Sequence, residues 1–360
     1  MFMSMFLGLF AGPLYDSFGS RWLLLTGSLF IFVGIFTTGE CTKAYQFILS
    51  YGICMGIGTG LMMFPAISIV SCWFSKQKRS LFMGVVQSGG SAGGVVFPIL
   101  LRFLFPKYGF KWSMRIVAFF NLGVDLLGAF LAKDRLKEIR LRTGEVDKRT
   151  MWNKLTHTVD LTAYKEKQLL SLSVSLFMNE FALMNVLTYF SSYAMIHGVS
   201  QGESFNMLTI LNALGILGAY VPSYFAGKYG SFNVMILMSS TLTLIMFVVW
   251  LPFGKYKPAM YVFVAVFGFC CSSTFALTGA TVSTITPKTS DFGKRYGAAY
   301  AFVSLGNLIS LPISGSFIKV KNAKYYNHMV IFIACICACS SVLFVVSRWT
   351  VVGRKFRVCV

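Results

Sequence analysis

The chain has 360 residues, of which 56% are hydrophobic and 12% are charged, and its mean hydropathy is +0.69. A soluble domain carries about twice that charged fraction, so the composition excludes one and indicates a membrane protein. The net charge of +20 does not indicate a nucleic-acid binder, because the basic residues are spread over the segments between apolar stretches.

Eleven apolar stretches follow one another along the chain, and the first is cut short at Met1. About 20 apolar residues cross the hydrocarbon core as a helix, and continuous runs of this kind predict helices, not a barrel. We therefore predict an all-α polytopic membrane protein. The predicted spans are residues 1–13, 22–38, 46–72, 81–103, 113–132, 168–194, 204–226, 232–252, 258–284, 297–318 and 327–347.

Basic residues predict the orientation of these spans. With residues 13–21 in the cytosol and the sides alternating from there, the cytoplasmic segments hold 22 of the 32 Lys and Arg residues. This bias follows the positive-inside rule and predicts a cytoplasmic C-terminus. The basic segments then face anionic lipid, which makes the bilayer their expected partner.

One polar segment divides the chain into two unequal halves. We predict an N-terminal helical bundle at 1–132, a cytoplasmic loop at 133–167, a C-terminal bundle at 168–348 and a cytoplasmic tail at 349–360. Residues 12–21 are similar to residues 222–231, which indicates two related halves, as in many transporters. On this reading the first half is one helix short at its N-terminal end.

No pattern in the sequence indicates catalysis, a metal or a cofactor. The three histidines lie far apart, and none has a ligand neighbour at helical spacing. In Cys335-x-Cys337-x-Cys339 the central cysteine faces away from the other two on a helix. The chain has no nucleophile elbow, nucleotide loop or HExxH pattern, so we do not predict an enzyme.

Residues 12–21 resemble the loop motif between the second and third helices of the major facilitator superfamily. Residues 56–98 resemble the fourth and fifth helices of its monocarboxylate porter branch, especially the fungal homologues, and the similarity continues to Gly315. The resemblance implies a two-bundle fold, with the first family helix absent here. It also implies alternating-access transport of a small organic solute, either a monocarboxylate or a planar metabolite such as riboflavin.

The chain departs from the family pattern in its second half. Gly227 stands where the repeated motif has Asp, and Ser231 where it has its closing Arg. Ala219 stands where the family often has an Arg inside the membrane. These departures weaken the inference that the solute is an anion.

The motif residues Gly12, Asp16, Gly19 and Arg21 are predicted to act in gating. The Asp16 carboxylate can reach helix N-terminal amides, and Arg21 can pair across the cytoplasmic gate. Such contacts form in one state of a transport cycle and break in the other. The alternative is that both charges only anchor the connection and set the topology.

Charged and amide side chains inside the spans mark a predicted proton or solute path. Glu180 lies near mid-helix beside Asn179 and is a candidate to carry a coupling proton; the alternative is a hydrogen-bonded carboxyl that seals a helix contact. Asn185, Tyr189 and Ser192 form a polar stripe that either lines a water-filled path or binds another helix. Asp125 is a weaker functional candidate. Further pore-lining candidates are Gln87, Ser91, Asn212, Ser272, Ser273, Thr278 and Asn307.

Two other hypotheses remain open at this stage. Without its first helix the chain could be a non-transporting family member that acts as a membrane regulator or partner, or the gene model could be incomplete. The resemblance implies the plasma membrane, with a vacuolar or other organelle membrane second. Glycine-rich faces serve folding and association equally, so no oligomeric state is predicted.

Overall fold

A computed structural model describes residues 1–136, 138, 141, 164–318 and 323–353. Most of the predicted central loop at 133–167 and the end of the predicted tail at 349–360 lie outside these residues. The described ranges form helices and short connections and contain no strand, so the predicted all-α class is confirmed.

The helices are labelled here in chain order. They are α1 (Phe2–Phe6), α2 (Gly8–Phe18), α3 (Arg21–Thr38), α4 (Ala44–Trp73), α5 (Lys76–Leu131), α6 (Lys167–Ile196), α7 (Gln201–Tyr229), α8 (Ser231–Phe253), α9 (Lys257–Ile285), α10 (Phe292–Phe317) and α11 (Ala323–Val352). Among the described residues, the nine helices from α3 to α11 are long and apolar enough to cross a membrane.

The predicted number of about eleven spans is consistent with these helices. Helix α5 has 56 residues and contains two predicted spans, because its backbone turns at Gly109, where φ is 71° and ψ is 174°. Glycine adopts this conformation without steric cost. The first predicted span, 1–13, corresponds to α1 and α2, which only Leu7 separates.

The predicted boundary after the first span was wrong by five residues. Helix α2 continues through Pro13 to Phe18, so only Gly19 and Ser20 connect it to α3. An interior proline removes one backbone hydrogen bond, and the buried Tyr15 and Asp16 pack on the turns beyond it. Asp16 is therefore a helical residue rather than a loop residue.

Contacts divide the described residues into two compact units. Unit 1 comprises Met1–Ser75, Phe97–Glu166 and Thr286–Ser304, and unit 2 comprises Lys76–Val96, Lys167–Ile285 and Leu305–Val360. The units interleave the two halves of the sequence, because the first part of α5 belongs to unit 2 and the first part of α10 to unit 1. The division into bundles at 1–132 and 168–348 stays a prediction.

Unit 1 has a core between α3 and the second part of α5. It is formed by the buried side chains of Ile31, Ile35, Met114, Val117 and Ala118. Helices α3 and α4 approach closely as well, since a Cβ on Gly58 would lie 2.7 Å from the Gly27 carbonyl oxygen. Small residues at such crossings allow backbone contact in lipid.

Unit 2 has a larger core, built from helices α6 to α9 and α11. Its centre is aromatic: the rings of Trp250 and Phe263 lie 4.6 Å apart, and Phe190 stacks on Phe263 at 5.7 Å. All three side chains are buried. This core surrounds the second half of α6, the helix that carries Glu180 and the polar stripe.

Candidate functional site

The motif carboxylate lies at a helix N-terminus within unit 1. Asp16 is only 1% exposed, and its Oδ2 accepts a hydrogen bond of 2.8 Å from the backbone N–H of Lys294. Lys294 is the third residue of α10, where backbone N–H groups lack partners inside the helix. A carboxylate there is favoured by the hydrogen bond and by the helix dipole. This is the contact type expected of Asp16, while its gating role stays a prediction.

Glycines bring α2 and α10 into backbone contact beside Asp16. A Cβ on Gly12 would lie 2.0 Å from the Gly293 carbonyl oxygen, and one on Gly297 would lie 2.0 Å from the Gly8 carbonyl oxygen. Only glycine fits at either position, because any Cβ would overlap the carbonyl oxygen of the facing helix. The predicted motif glycine at 12 is therefore required by a helix crossing.

Asp134, which the sequence did not single out, contacts the C-terminal end of the motif. Asp134 Oδ2 accepts from the backbone N–H of Ser20 at 2.9 Å, and its Oδ1 accepts from the Tyr15 hydroxyl at 3.3 Å. It also lies 3.0 Å from the position of a Cβ on Gly19. The only signal for Asp134 was its place two residues after the predicted span 113–132.

Arg21 does not share these contacts. Its side chain is exposed, and it forms no ion pair or hydrogen bond with any residue in the described ranges. Arg21 does line a cavity together with Gly19, Ser20 and Asp134. The structure thus places it near the end of the motif, without a polar contact to the motif residues.

Glu180 lies in a second site, inside unit 2. Glu180 and Asn179 are each 3% exposed, and within the described part of the chain neither Glu180 Oε2 nor Asn179 Oδ1 has a hydrogen-bond partner. The Cys271 thiol of α9 is an electrostatic neighbour of the carboxyl. Burying an ionised carboxylate without a partner costs several kcal/mol. The neutral carboxyl therefore suits this site better than the charged one, while the role of Glu180 as a proton carrier stays a prediction.

The predicted polar stripe on α6 divides between two environments. Asn185 is fully buried and donates to the Phe181 carbonyl of its own helix at 2.7 Å. Tyr189 donates to the Leu311 carbonyl of α10 at 3.0 Å, within unit 2, so it contacts another helix. Ser192 is half-buried. Whether the stripe lines a solute path stays a prediction.

Three of the other path candidates meet at the crossing of α5, α7 and α9 in unit 2. Ser91 and Ser272 lie 3.1 Å apart between their hydroxyl oxygens, and Asn212 packs against Gly94, whose Cβ would lie 2.4 Å from its Oδ1. Gln87 is half-buried one turn before Ser91 on α5.

The remaining candidates lie apart from this crossing. Asn307 is buried on α10, and Ser273 and Thr278 hydrogen-bond to carbonyl groups. Asp125 accepts from the amide of Asn121 one turn earlier, at 2.8 Å. No group of His, Cys, Asp and Glu side chains in the described ranges has the arrangement to hold a metal ion.

Comparison with known proteins finds the family profile described as Major Facilitator Superfamily over residues 1–255 and 223–355. The riboflavin transporter of Saccharomyces cerevisiae is 36% identical over 358 residues, which cover 96% of this chain and 68% of that protein. An MFS-type transporter of Gibberella moniliformis is 30% identical over 348 residues, which cover 97% of this chain and 80% of that protein.

A solved structure shares the fold. A proton:xylose symporter matches with a TM-score of 0.74 at 15% identity, over 96% of this chain and 84% of the symporter. At this identity the likeness concerns the fold alone.

Proposed function

The chain belongs to the major facilitator superfamily, and on that premise we propose that it is a secondary active carrier of a small organic solute. Transport would proceed by alternating access around a site near the midplane of the membrane. The observation that carries the proposal is the 36% identity with a riboflavin transporter over 96% of the chain. We do not propose an enzymatic activity.

A planar, riboflavin-like metabolite is the solute that we favour over a monocarboxylate. Ala219 is fully buried, and it occupies the position where the porter branch often has an Arg. Its surroundings are tight, since a Cβ on Gly84 would lie 2.4 Å from the Ala219 carbonyl oxygen. A guanidinium that could bind a carboxylate is therefore missing from this position, which supports the solute without a carboxylate.

Proton coupling through Glu180 is the second part of the proposal. A buried carboxyl without a hydrogen-bond partner for Oε2 is costly when ionised, so it would exchange its proton only when the transport cycle exposes it to water or solute. Neighbouring polar groups, Asn179 and Asn185, would line the same path. A symporter requires a protonatable group that faces each side of the membrane in turn, and Glu180 is the group that we propose for this role.

Uptake by purified protein in liposomes tests both parts. Labelled riboflavin and labelled lactate are offered separately, with and without an inwardly directed proton gradient. We expect riboflavin accumulation that rises with the gradient. Glu180→Gln should lose gradient-driven accumulation and keep exchange of riboflavin across the membrane, because Gln cannot release a proton.

The matched control is Glu203→Gln. Glu203 is exposed at the N-terminus of α7 and pairs with Lys257 at 3.1 Å, so its neutralisation should leave both activities unchanged. Accumulation of lactate alone would overturn the solute assignment, and gradient-driven uptake in the Glu180 variant would overturn the coupling. Transport of neither solute would contradict the proposal as a whole.

A further inference from the structure

Residues 164–166 lie just before α6, at the end of the predicted cytoplasmic loop, and contact the first turns of α10 within unit 1. The Tyr164 hydroxyl donates to the Ala298 carbonyl at 2.5 Å, and the rings of Tyr164 and Phe302 lie 6.2 Å apart. The Glu166 carboxylate accepts hydrogen bonds from both terminal nitrogens of Arg295, at 2.9 and 2.5 Å. Residues outside α10 thus fix its start at three points.

The contact between Arg295 and Glu166 has the geometry of a strong ion pair. Two hydrogen bonds join a planar guanidinium to a carboxylate, which gives both strength and a defined orientation. Arg295 is 8% exposed, and Glu166 is its acidic partner among the described residues. Loss of that carboxylate leaves a buried cation without a counter-charge, which is costly in a protein interior.

Helix α10 is held on two opposite faces. Gly293 and Gly297 face the backbone of α2, which they approach closely. An α-helix turns by about 100° per residue, so Arg295 and Phe302 project from the other side of α10. The contacts with α2 on one side and with residues 164–166 on the other together set the position of the start of α10.

We propose that residues 164–166 are a positioning element of the cytoplasmic gate, which hold the start of α10 against α2. The proposal rests on the alternating-access function proposed above. Arg295 directly follows Lys294, whose backbone N–H donates to Asp16, so a displacement of this turn affects both contacts. Without the charge of Glu166, the start of α10 is held mainly from the side of α2, and the contact between α2 and α10 opens more often.

Hydrogen–deuterium exchange of the purified full-length protein, followed by mass spectrometry, tests the proposal. Glu166→Gln should speed exchange of the backbone amides of residues 294–300 by about 10-fold, the weight of one hydrogen bond to a charged group. Tyr164→Phe keeps the ion pair and should have a smaller effect in the same direction. Glu166→Asp keeps the charge and should retain most of the protection, which separates the ion pair from side-chain packing.

The matched control is Glu138→Gln. Glu138 pairs with Arg135 at 3.0 Å in unit 1, but their side chains are 58% and 32% exposed, so this pair contributes little. Its neutralisation should leave exchange at residues 294–300 unchanged. Amides of residues 263–271 in the core of unit 2 should exchange as in the wild type in every variant, which separates a local opening from global unfolding.

Riboflavin uptake in liposomes separates this proposal from the proposed function. Glu166→Gln should slow uptake together with the faster exchange at α10, and Glu138→Gln should keep the wild-type rate. Faster exchange at α10 in a protein that transports neither riboflavin nor lactate would contradict the proposed function and still support the hold on α10. Wild-type exchange in Glu166→Gln would overturn the positioning role, and so would faster exchange with unchanged uptake or equally faster exchange in the core of unit 2.

Discussion

Asp16 and Glu180 are both buried carboxylates, and their surroundings give them opposite properties. Asp16 accepts a backbone N–H at the start of a helix, which stabilises its charge. Glu180 has no such donor for its Oε2 among the described residues, which disfavours a charge. Asp16 is therefore suited to hold helices in place, while the role of Glu180 as a proton carrier stays a proposal.

Replacement of Asp16 by Asn should lower the stability of the protein. The amide keeps the size of the side chain but loses the charge at the α10 N-terminus, at a cost of about 1 kcal/mol. Thermal unfolding of the purified protein measures the effect.

Asp291→Asn is the control for this change. Asp291 lies one residue before α10, and its side chain is 47% exposed and 4.0 Å from the Lys294 ammonium, so little stability depends on it. Equal shifts in melting temperature for the two variants would show that the Asp16 contact stabilises the protein no more than the exposed Asp291 side chain does.

At the scale of elements, helix crossings in this chain depend on glycine and on charges at helix ends. Helices α2 and α10 touch through backbone at Gly12 and Gly293. The turn after α3 is tied to α5 by Glu40, which lies 2.6 Å from the Lys111 ammonium and 2.7 Å from the Arg115 guanidinium. The glycine crossing depends on close packing of the two backbones, and the Glu40 contacts depend on charge.

The substitution Gly12→Ala should destabilise the protein by roughly 1–3 kcal/mol, since the new methyl group overlaps the Gly293 carbonyl and forces α2 and α10 apart. Gly128→Ala is the matched control, because nothing lies within 4 Å of a Cβ at that position on α5. Alanine there should be neutral or stabilising. Unfolding temperatures of the two variants should move in different directions, and a harmless Gly12→Ala would refute the close crossing.

The Glu40 cluster should make stability depend on pH. Hydrogen bonding to Lys111, with help from Arg115, holds the pKa of the Glu40 carboxyl below its ordinary value. Because the folded pKa is the lower one, the stabilisation is fully present above the ordinary value near 4.3 and is lost as pH falls through the lowered value.

Melting temperatures of wild type and Glu40→Gln, measured from neutral to acidic pH, test this dependence. The variant should be less stable at neutral pH, and the two curves should converge in acid. A difference that grows toward low pH would contradict the assignment.

At the scale of the whole molecule, the surface has the character of a membrane protein. Large apolar side chains such as Phe103, Phe130 and Leu244 are more than half exposed. Soluble proteins rarely expose apolar surface on this scale. In the described ranges, nine helices are apolar and long enough to cross a membrane, and with membership of the superfamily they make this a multi-pass membrane protein.

The basic residues predict its orientation in the membrane, and this prediction is open to direct measurement. In a cysteine-free background, Lys43→Cys lies between α3 and α4, and Lys288→Cys lies between α9 and α10; both positions are exposed. On intact cells, a membrane-impermeant maleimide should label only position 43, and permeabilisation should add position 288. The reverse pattern would place the C-terminus outside.

Local sequence properties determined the helical class, the approximate spans and the family. A membrane helix forms all of its backbone hydrogen bonds within its own segment, and that segment is a continuous apolar run in the sequence. Its position can therefore be predicted without tertiary information. Local sequence features also identified Gly12, Asp16 and Glu180 as candidates, because a motif and an intramembrane charge are visible in the sequence alone.

Tertiary structure alone decided which groups meet. Asp134 reaches the start of α3 from more than a hundred residues away, Arg21 lines a cavity with Asp134, and Arg79 lines another with Ser283. Membrane helices are alike in hydropathy on most faces, so apolar pattern does not specify their neighbours. The neighbours are set by close packing at small residues and by buried hydrogen bonds, and both depend on atoms distant in sequence.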